Sequence, residues 1–371
     1  MNRRAFLRTT TALSGLAALS GLPGVASVAR GQQKDFNPRP GNWRTYELTT
    51  KVEVLRPRGV TRAWLPVPAL DAEYQRAGDS RWSGNARAME RLTEPKYGAV
   101  MLYAEFADGE KAPVVELVSQ FRTQDRAVDW SRTSAGKEDP AALKKWIRPT
   151  DLMPTDGIVL ETAADITKGK RGHLEKARAI YDWILVNTYR EPKVRGCGVG
   201  DVKAMLETKN FGGKCGDING LFVGLVRAVG VPARDVYGIR VAPSAFGFKA
   251  LGAGSANVSR AQHCRAEVYL QEHGWVAMDP ADVTKVAREE TSEWLKIDHP
   301  IVQAVRPKLF GAWEGNWAAY NTAHDVALPN AREKDTLGFF MYPQAETAEG
   351  RLDSLDPDNF KYTITAREVK A

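Results

Sequence analysis

Between residues 43 and 130, apolar and polar side chains alternate in short runs. Residues 45–55, TYELTTKVEVL, put Tyr46, Leu48, Thr50, Val52 and Val54 on one face, the two-residue period of a strand with one buried side. The runs TRAWLPVP and AVMLYAEF, and VVELVSQFRTQ over residues 114–124, continue the pattern with turn residues between them. Short strands in series predict an immunoglobulin-like β-sandwich over residues 35–135, and no site chemistry is evident in it.

The period then changes. Residues 147–158, IRPTDLMPTDGI, are rich in Pro, Asp and Thr and read as a linker. HLEKARAIYDWILVNT follows, with Ala177, Ile180, Tyr181, Ile184 and Leu185 at helical spacing as core positions. A second helix carries the apolar stripe Leu221, Phe222, Leu225, Val226 and Val229, stopped by Gly230 and Pro232. Residues 234–241 form a strand, residues 246–261 a Gly- and Ser-rich loop expected as a rim or lid. HCRAEVYL and GWVAMDP then make an antiparallel pair about the turn at 272–274.

The first 29 residues stand apart. Adjacent arginines, Arg3 and Arg4, precede a mildly apolar stretch that ends in Ser27, Val28 and Ala29, the form of a twin-arginine signal peptide. Gly15, Ser20, Gly21 and Pro23 argue against a stable membrane span. Export through the twin-arginine translocase would leave the chain periplasmic or secreted. Losing Arg3, Arg4 and Arg8 takes the net charge from +7 to +4. With no basic stripe interleaved with aromatics, no nucleic-acid partner is expected.

Three cysteines in 371 residues make the stretch FGGKCGDINGLF informative. Cys215 falls where the second helix begins, and the unpaired N–H groups and positive dipole end there stabilise a thiolate. Gly212, Gly213 and Gly216 permit close backbone approach, and Asp217 is a candidate cap. A thiol nucleophile needs a base, and the base a third group to orient it. Of five histidines, His263 alone opens a strand after the flexible loop, and Asp279 closes the next strand. Hairpin pairing brings these two to one edge of the sheet.

GGKCGDINGLFVGLVRAVGVPAR, QHCRAEVYL and GWVAMDPADV, in this order, resemble the transglutaminase-like superfamily, a papain-related group, and its exported bacterial branch. The resemblance implies an α+β fold: a transglutaminase-like domain over residues 140–290, preceded by the sandwich and followed by a β-rich extension over 291–371. It maps Cys215 as nucleophile, His263 as general base and Asp279 as orienting acid, with no cofactor and no metal. A peptide or isopeptide amide would be hydrolysed through an acyl-thioester on Cys215, the substrate being a peptide, an envelope protein or peptidoglycan. Amine transfer, giving protein cross-links, and a non-catalytic envelope module binding peptide or glycan stand as alternatives.

Arg265 occupies a position where the family commonly has Trp. Cys264 is expected to point away from the face bearing His263, which makes it a disulfide candidate with Cys197. A buried, inert thiol at Cys215 and a metal site of Cys215, His263, Cys264 and Asp279 are the competing readings of this cluster, the latter without supporting ligand spacing. Glu267 is expected as a site-tuning charge or an ion pair with Arg234 or Arg240. Asn187 and Tyr189 are expected as oxyanion donors or, more simply, as packing.

Overall fold

A computed structural model describes residues 35–133 and 138–370. Residues 1–29, with the expected signal peptide, lie outside them. The first strand, Arg44–Val54, buries Tyr46, Leu48, Thr50, Val52 and Val54 as the alternation predicts. It is flanked by Val114–Thr123 and Phe360–Val369, and Gln75–Gly84 completes a four-stranded antiparallel sheet. A five-stranded sheet runs in the order Gly350–Arg351, Gln344–Thr347, Thr61–Pro66, Val100–Phe106 and Ala88–Thr93. Val52, Val115 and Leu117 of the first sheet share a core with Leu65, Leu102 and Phe106 of the second, the sandwich arrangement of two inner faces.

The last strand is ten residues long and pairs from Thr45↔Val369 to Val54↔Phe360. It thereby covers what would otherwise be an open sheet edge. Its partner is more than 300 residues away in sequence, so the chain returns to its beginning to finish the sheet.

The part of the fold that positions the site is a four-stranded antiparallel sheet in the order Gly274–Met278, Gln262–Leu270, Ala233–Arg240, Trp317–Asn321. The helix Cys215–Ala228 packs on it, with Leu221, Phe222, Leu225 and Val226 in a core that includes Ala266 and Val268 of the sheet. Helices Gly157–Ile166 and His173–Asn187 close over this helix, contributing Val159, Ala163, Ile180, Tyr181 and Ile184. The central helix is therefore buried along almost all its length, which explains its near-continuous apolar sequence. Among the described residues no helix is long and apolar enough to cross a membrane.

Candidate active site

Cys215 is the first residue of its helix. Asp217 makes the start rigid: its Oδ2 accepts from the Lys214 N–H at 2.9 Å, and its Oδ1 accepts from the Val199 and Gly200 N–H groups at 2.9 Å each. Gly198, at φ +89°, must lack a side chain, because a Cβ there would overlap the Asp217 carboxylate. Gly216 donates to the Cys197 carbonyl at 2.8 Å, and a Cβ on it would meet that same oxygen at 2.8 Å. The Asp217 hydrogen bonds and the two glycines thus pin the helix start against the segment around residue 197.

The hairpin ladder runs from Ala266↔Met278 to Leu270↔Gly274. His263 and Asp279 lie just beyond its open end, where the pairing argument places them. His263 Nε2 is 2.8 Å from Asp279 Oδ2 and 3.4 Å from Asp282 Oδ1. Asp279 Oδ1 accepts from the Asn219 side chain and from the Asp282 N–H, both at 3.1 Å. Asn219, one turn along the helix from Cys215, also donates to the Cys264 carbonyl at 2.9 Å and accepts from the Ala281 N–H at 3.1 Å. It ties the cysteine helix to both hairpin strands. The sequence reading missed Asn219 and Asp282; their signals were the four-residue offset from Cys215 and the three-residue offset from Asp279.

The electrostatics favour separated charge. Hydrogen bonds from Cys197 and then Cys264, with His263 adding to them, hold the Cys215 thiol well below its ordinary range despite burial. Burial works against a charged His263, yet Asp282 and Asp279 raise it to about 9. Burial likewise opposes the Asp282 charge, and Arg240, 2.5 Å away, and His263 hold that carboxyl well below the usual range. Both directions favour the charge-separated pair, a thiolate beside an imidazolium, the form in which a thiol is nucleophilic.

The expected Cys197–Cys264 disulfide is not formed: all three cysteines are free thiols, with their sulfurs within 4.8 Å of one another. Nor does Cys264 point away from the site. Cys215 sits against the opening end of the strand, so two successive side chains, His263 and Cys264, both come to its sulfur. Met341 Sδ is 3.9 Å from Cys264 Sγ. The three thiols, and separately His263, Asp279 and Asp282, are sets close enough to hold a metal ion, the first suiting a thiophilic one.

Glu267 is buried and paired with Arg234 at 2.5 Å and with Arg126, and so is a structural charge. Arg265 lies over the Trp317 ring at 4.6 Å, donates to the Glu314 carbonyl at 2.9 Å and approaches Asp279 Oδ2 at 3.7 Å. It fills the place of the family's usual aromatic by stacking on aromatics. Asn187 donates to the Trp183 carbonyl at 2.8 Å, and Tyr189 packs near Trp294; neither lines the cavity over Cys215. That cavity, of about 630 Å³, is bordered by Cys197, Cys215, Gln262, His263 and the loop from Gly252 to Ala261. The loop forms a rim, anchored by Val258 and Ala256 to Ile364 and Ala366 of the last strand.

The family model of the transglutaminase-like superfamily matches residues 160–280. An uncharacterized protein of Haemophilus influenzae is 35% identical over 341 residues, covering 87% of this chain and 91% of its own. A solved structure from Cytophaga hutchinsonii, put forward as a cysteine protease, superposes with a TM-score of 0.54 at 14% identity, over 89% of this chain and 92% of that one. The periplasmic domain of TgpA from Pseudomonas aeruginosa aligns over 74% of this chain and 99% of its own, at 14% identity and a TM-score of 0.34.

Proposed function

The chain belongs to the transglutaminase-like superfamily, and from that premise we propose that it is a cysteine hydrolase of peptide or isopeptide amides, working outside the cytoplasm. The observation that carries the reading is the continuous path from the Cys215 sulfur through His263 to Asp279, closed by Asn219.

In this reaction the Cys215 thiolate attacks the amide carbonyl. The Cys215 N–H, at a helix start and so without an intrahelical partner, is one donor to the oxyanion. Gln262 is the second: its buried Nε2 has no hydrogen-bond partner among the described residues and borders the same cavity. Such donors act where charge develops in the transition state. The His263 imidazolium gives its proton to the leaving amine, and the acyl group remains as a thioester on sulfur. His263, now neutral, takes a proton from water, which attacks the thioester and releases the acid.

Treatment with iodoacetamide at graded pH, with adducts mapped by mass, tests the premise. Cys215 is expected to label with an apparent pKa well below the usual thiol value of about 8.5, and His263→Ala is expected to slow the reaction. Equal, ordinary reactivity of all three cysteines would leave only a binding module. Incubation with peptide amides and cell-wall fragments, with and without an amine acceptor, then separates hydrolysis, read as new carboxyl ends, from amine transfer. Export rests on residues 1–29: replacing Arg3 and Arg4 by lysine is expected to retain the precursor in the cytoplasm.

A further inference from the structure

Six cationic side chains border the cavity over Cys215: Arg190, Arg195, Lys214, Arg240, Arg260 and Lys285, and no aspartate or glutamate is among its described lining residues. Three of the cations are already engaged in ion pairs. Arg190 donates to Glu289 at 2.8 Å, Arg195 to Asp353 at 2.6 Å and Arg240 to Asp282 at 2.5 Å. Lys214, Arg260 and Lys285 have no ion-pair partner among the described residues.

Lys285 is the most telling of these. It projects from the helix Pro280–Glu289, which Asp279 caps, so its position is coupled to that of the orienting carboxylate. Asp282 and Glu289 of its own helix, Arg240 of the central sheet and Arg190 surround it. Both acids are committed to those arginines, and burial, then Arg240, lower the Lys285 ammonium to about 8. The positive charge is held in a half-buried place short of a counter-ion. The lining also has an apolar part: Leu355, Phe360 and Tyr362, late in the chain, border the same cavity.

We propose that this cavity selects acidic peptides, seating a carboxylate next to the scissile amide on Lys285 and Arg260 while the apolar wall receives the neighbouring part of the chain. Unpaired cations in a partly desolvated cleft raise the local concentration of anions and strengthen their hydrogen bonds. A volume of about 630 Å³ accommodates a few residues of peptide. The inference deepens the amide-hydrolase reading and rests on it, but its test does not need turnover.

Cys215 itself reports the field. Alkylation by anionic iodoacetate is compared with alkylation by neutral iodoacetamide, using glutathione as the reference thiol. The iodoacetate-to-iodoacetamide rate ratio at Cys215 is expected to exceed that of glutathione by about tenfold at low salt. It should fall towards the reference in Lys285→Met, in Arg260→Gln and in high salt, and persist in Lys285→Arg. A ratio equal to that of glutathione, unchanged by these variants, overturns the proposal; Arg260 is exposed, so its variant stays informative if Lys285→Met does not fold.

Labelling of Cys215 by neither reagent would instead remove the nucleophile, and binding then decides the question alone. In Cys215→Ala, calorimetry with acetyl-Ala-Glu-Lys-Ala amide and its Gln-containing counterpart is expected to show tighter binding of the acidic peptide by about tenfold. Equal affinity, or binding of neither, overturns the inference.

Discussion

At the scale of single residues, the candidate site depends on groups that never touch a substrate. Asn219 satisfies one oxygen of Asp279, the Cys264 carbonyl and the Ala281 N–H at once. Asn219→Ala removes one of the two donors to Asp279 Oδ1, the side-chain donor to the Cys264 carbonyl and the side-chain acceptor of the Ala281 N–H; a buried group left unsatisfied costs about 1–3 kcal/mol. The thermal midpoint should drop, and release of the His263 ring should slow iodoacetamide labelling of Cys215. Gln262→Ala should behave differently. If its side-chain N–H serves the oxyanion, kcat falls by about 10²-fold with KM, folding and labelling rate little changed. An equal loss in KM would identify Gln262 as a binding residue instead. The spare donor of Gln262 was invisible in the sequence because whether an amide is satisfied depends on what surrounds it, not on its neighbours in the chain.

At the scale of elements, one close approach fixes the nucleophile. Gly216 meets the Cys197 carbonyl at a distance that no Cβ tolerates, and the obstacle is backbone. Gly216→Ala must push the helix start away from residue 197, and the expected outcome is a slowed Cys215 labelling rate together with a lowered melting temperature. The same proximity holds the three sulfurs within 4.8 Å. Diamide, which takes two electrons and two protons from a thiol pair, is expected to join Cys215 to Cys197 or Cys264. Alkylation at Cys215 should then be lost, return with dithiothreitol and be unaffected by diamide in the Cys197→Ala, Cys264→Ala double variant. Residue alternation along the strand foretold the opposite for Cys264, because period two describes faces of a sheet and says nothing about a helix start lodged at the strand's end.

At the scale of the whole molecule, buried charge sets the pH response. Burial raises Asp235 to about 7, against the pull of Arg227, and both of its oxygens lack a hydrogen-bond partner among the described residues. An acid whose folded-state pKa is raised binds its proton more tightly when folded, so its ionisation erodes stability as pH climbs from about 4 to about 7. His263 acts over the next interval: raised from its ordinary value to about 9, its contribution is full below about 6.5 and is lost as pH rises through 9. The lowered Cys215 thiol opposes the His263 trend by gaining stability as pH rises towards its ordinary value, so the Asp235 slope is read as the difference in melting temperature between the native chain and its variant. Asp235→Asn should stabilise by roughly 2–4 kcal/mol at pH 8 and have little effect at pH 4. Activity should fall above about pH 9 as His263 loses the proton that the leaving amine requires.

The amino-acid order alone determined the repeating strands near the start, the buried helix that begins at Cys215, and the hairpin whose open end holds His263 and Asp279. Each is written in local periodicity or in a turn, and local hydrogen bonding enforces both. Tertiary structure decided what depends on distant partners. The strand Phe360–Val369 finishes a sheet begun at Arg44, three thiols from separate segments meet, and six cations from across the chain face one cavity. No local pattern encodes these encounters, because each arises only when burying apolar faces brings remote segments into contact.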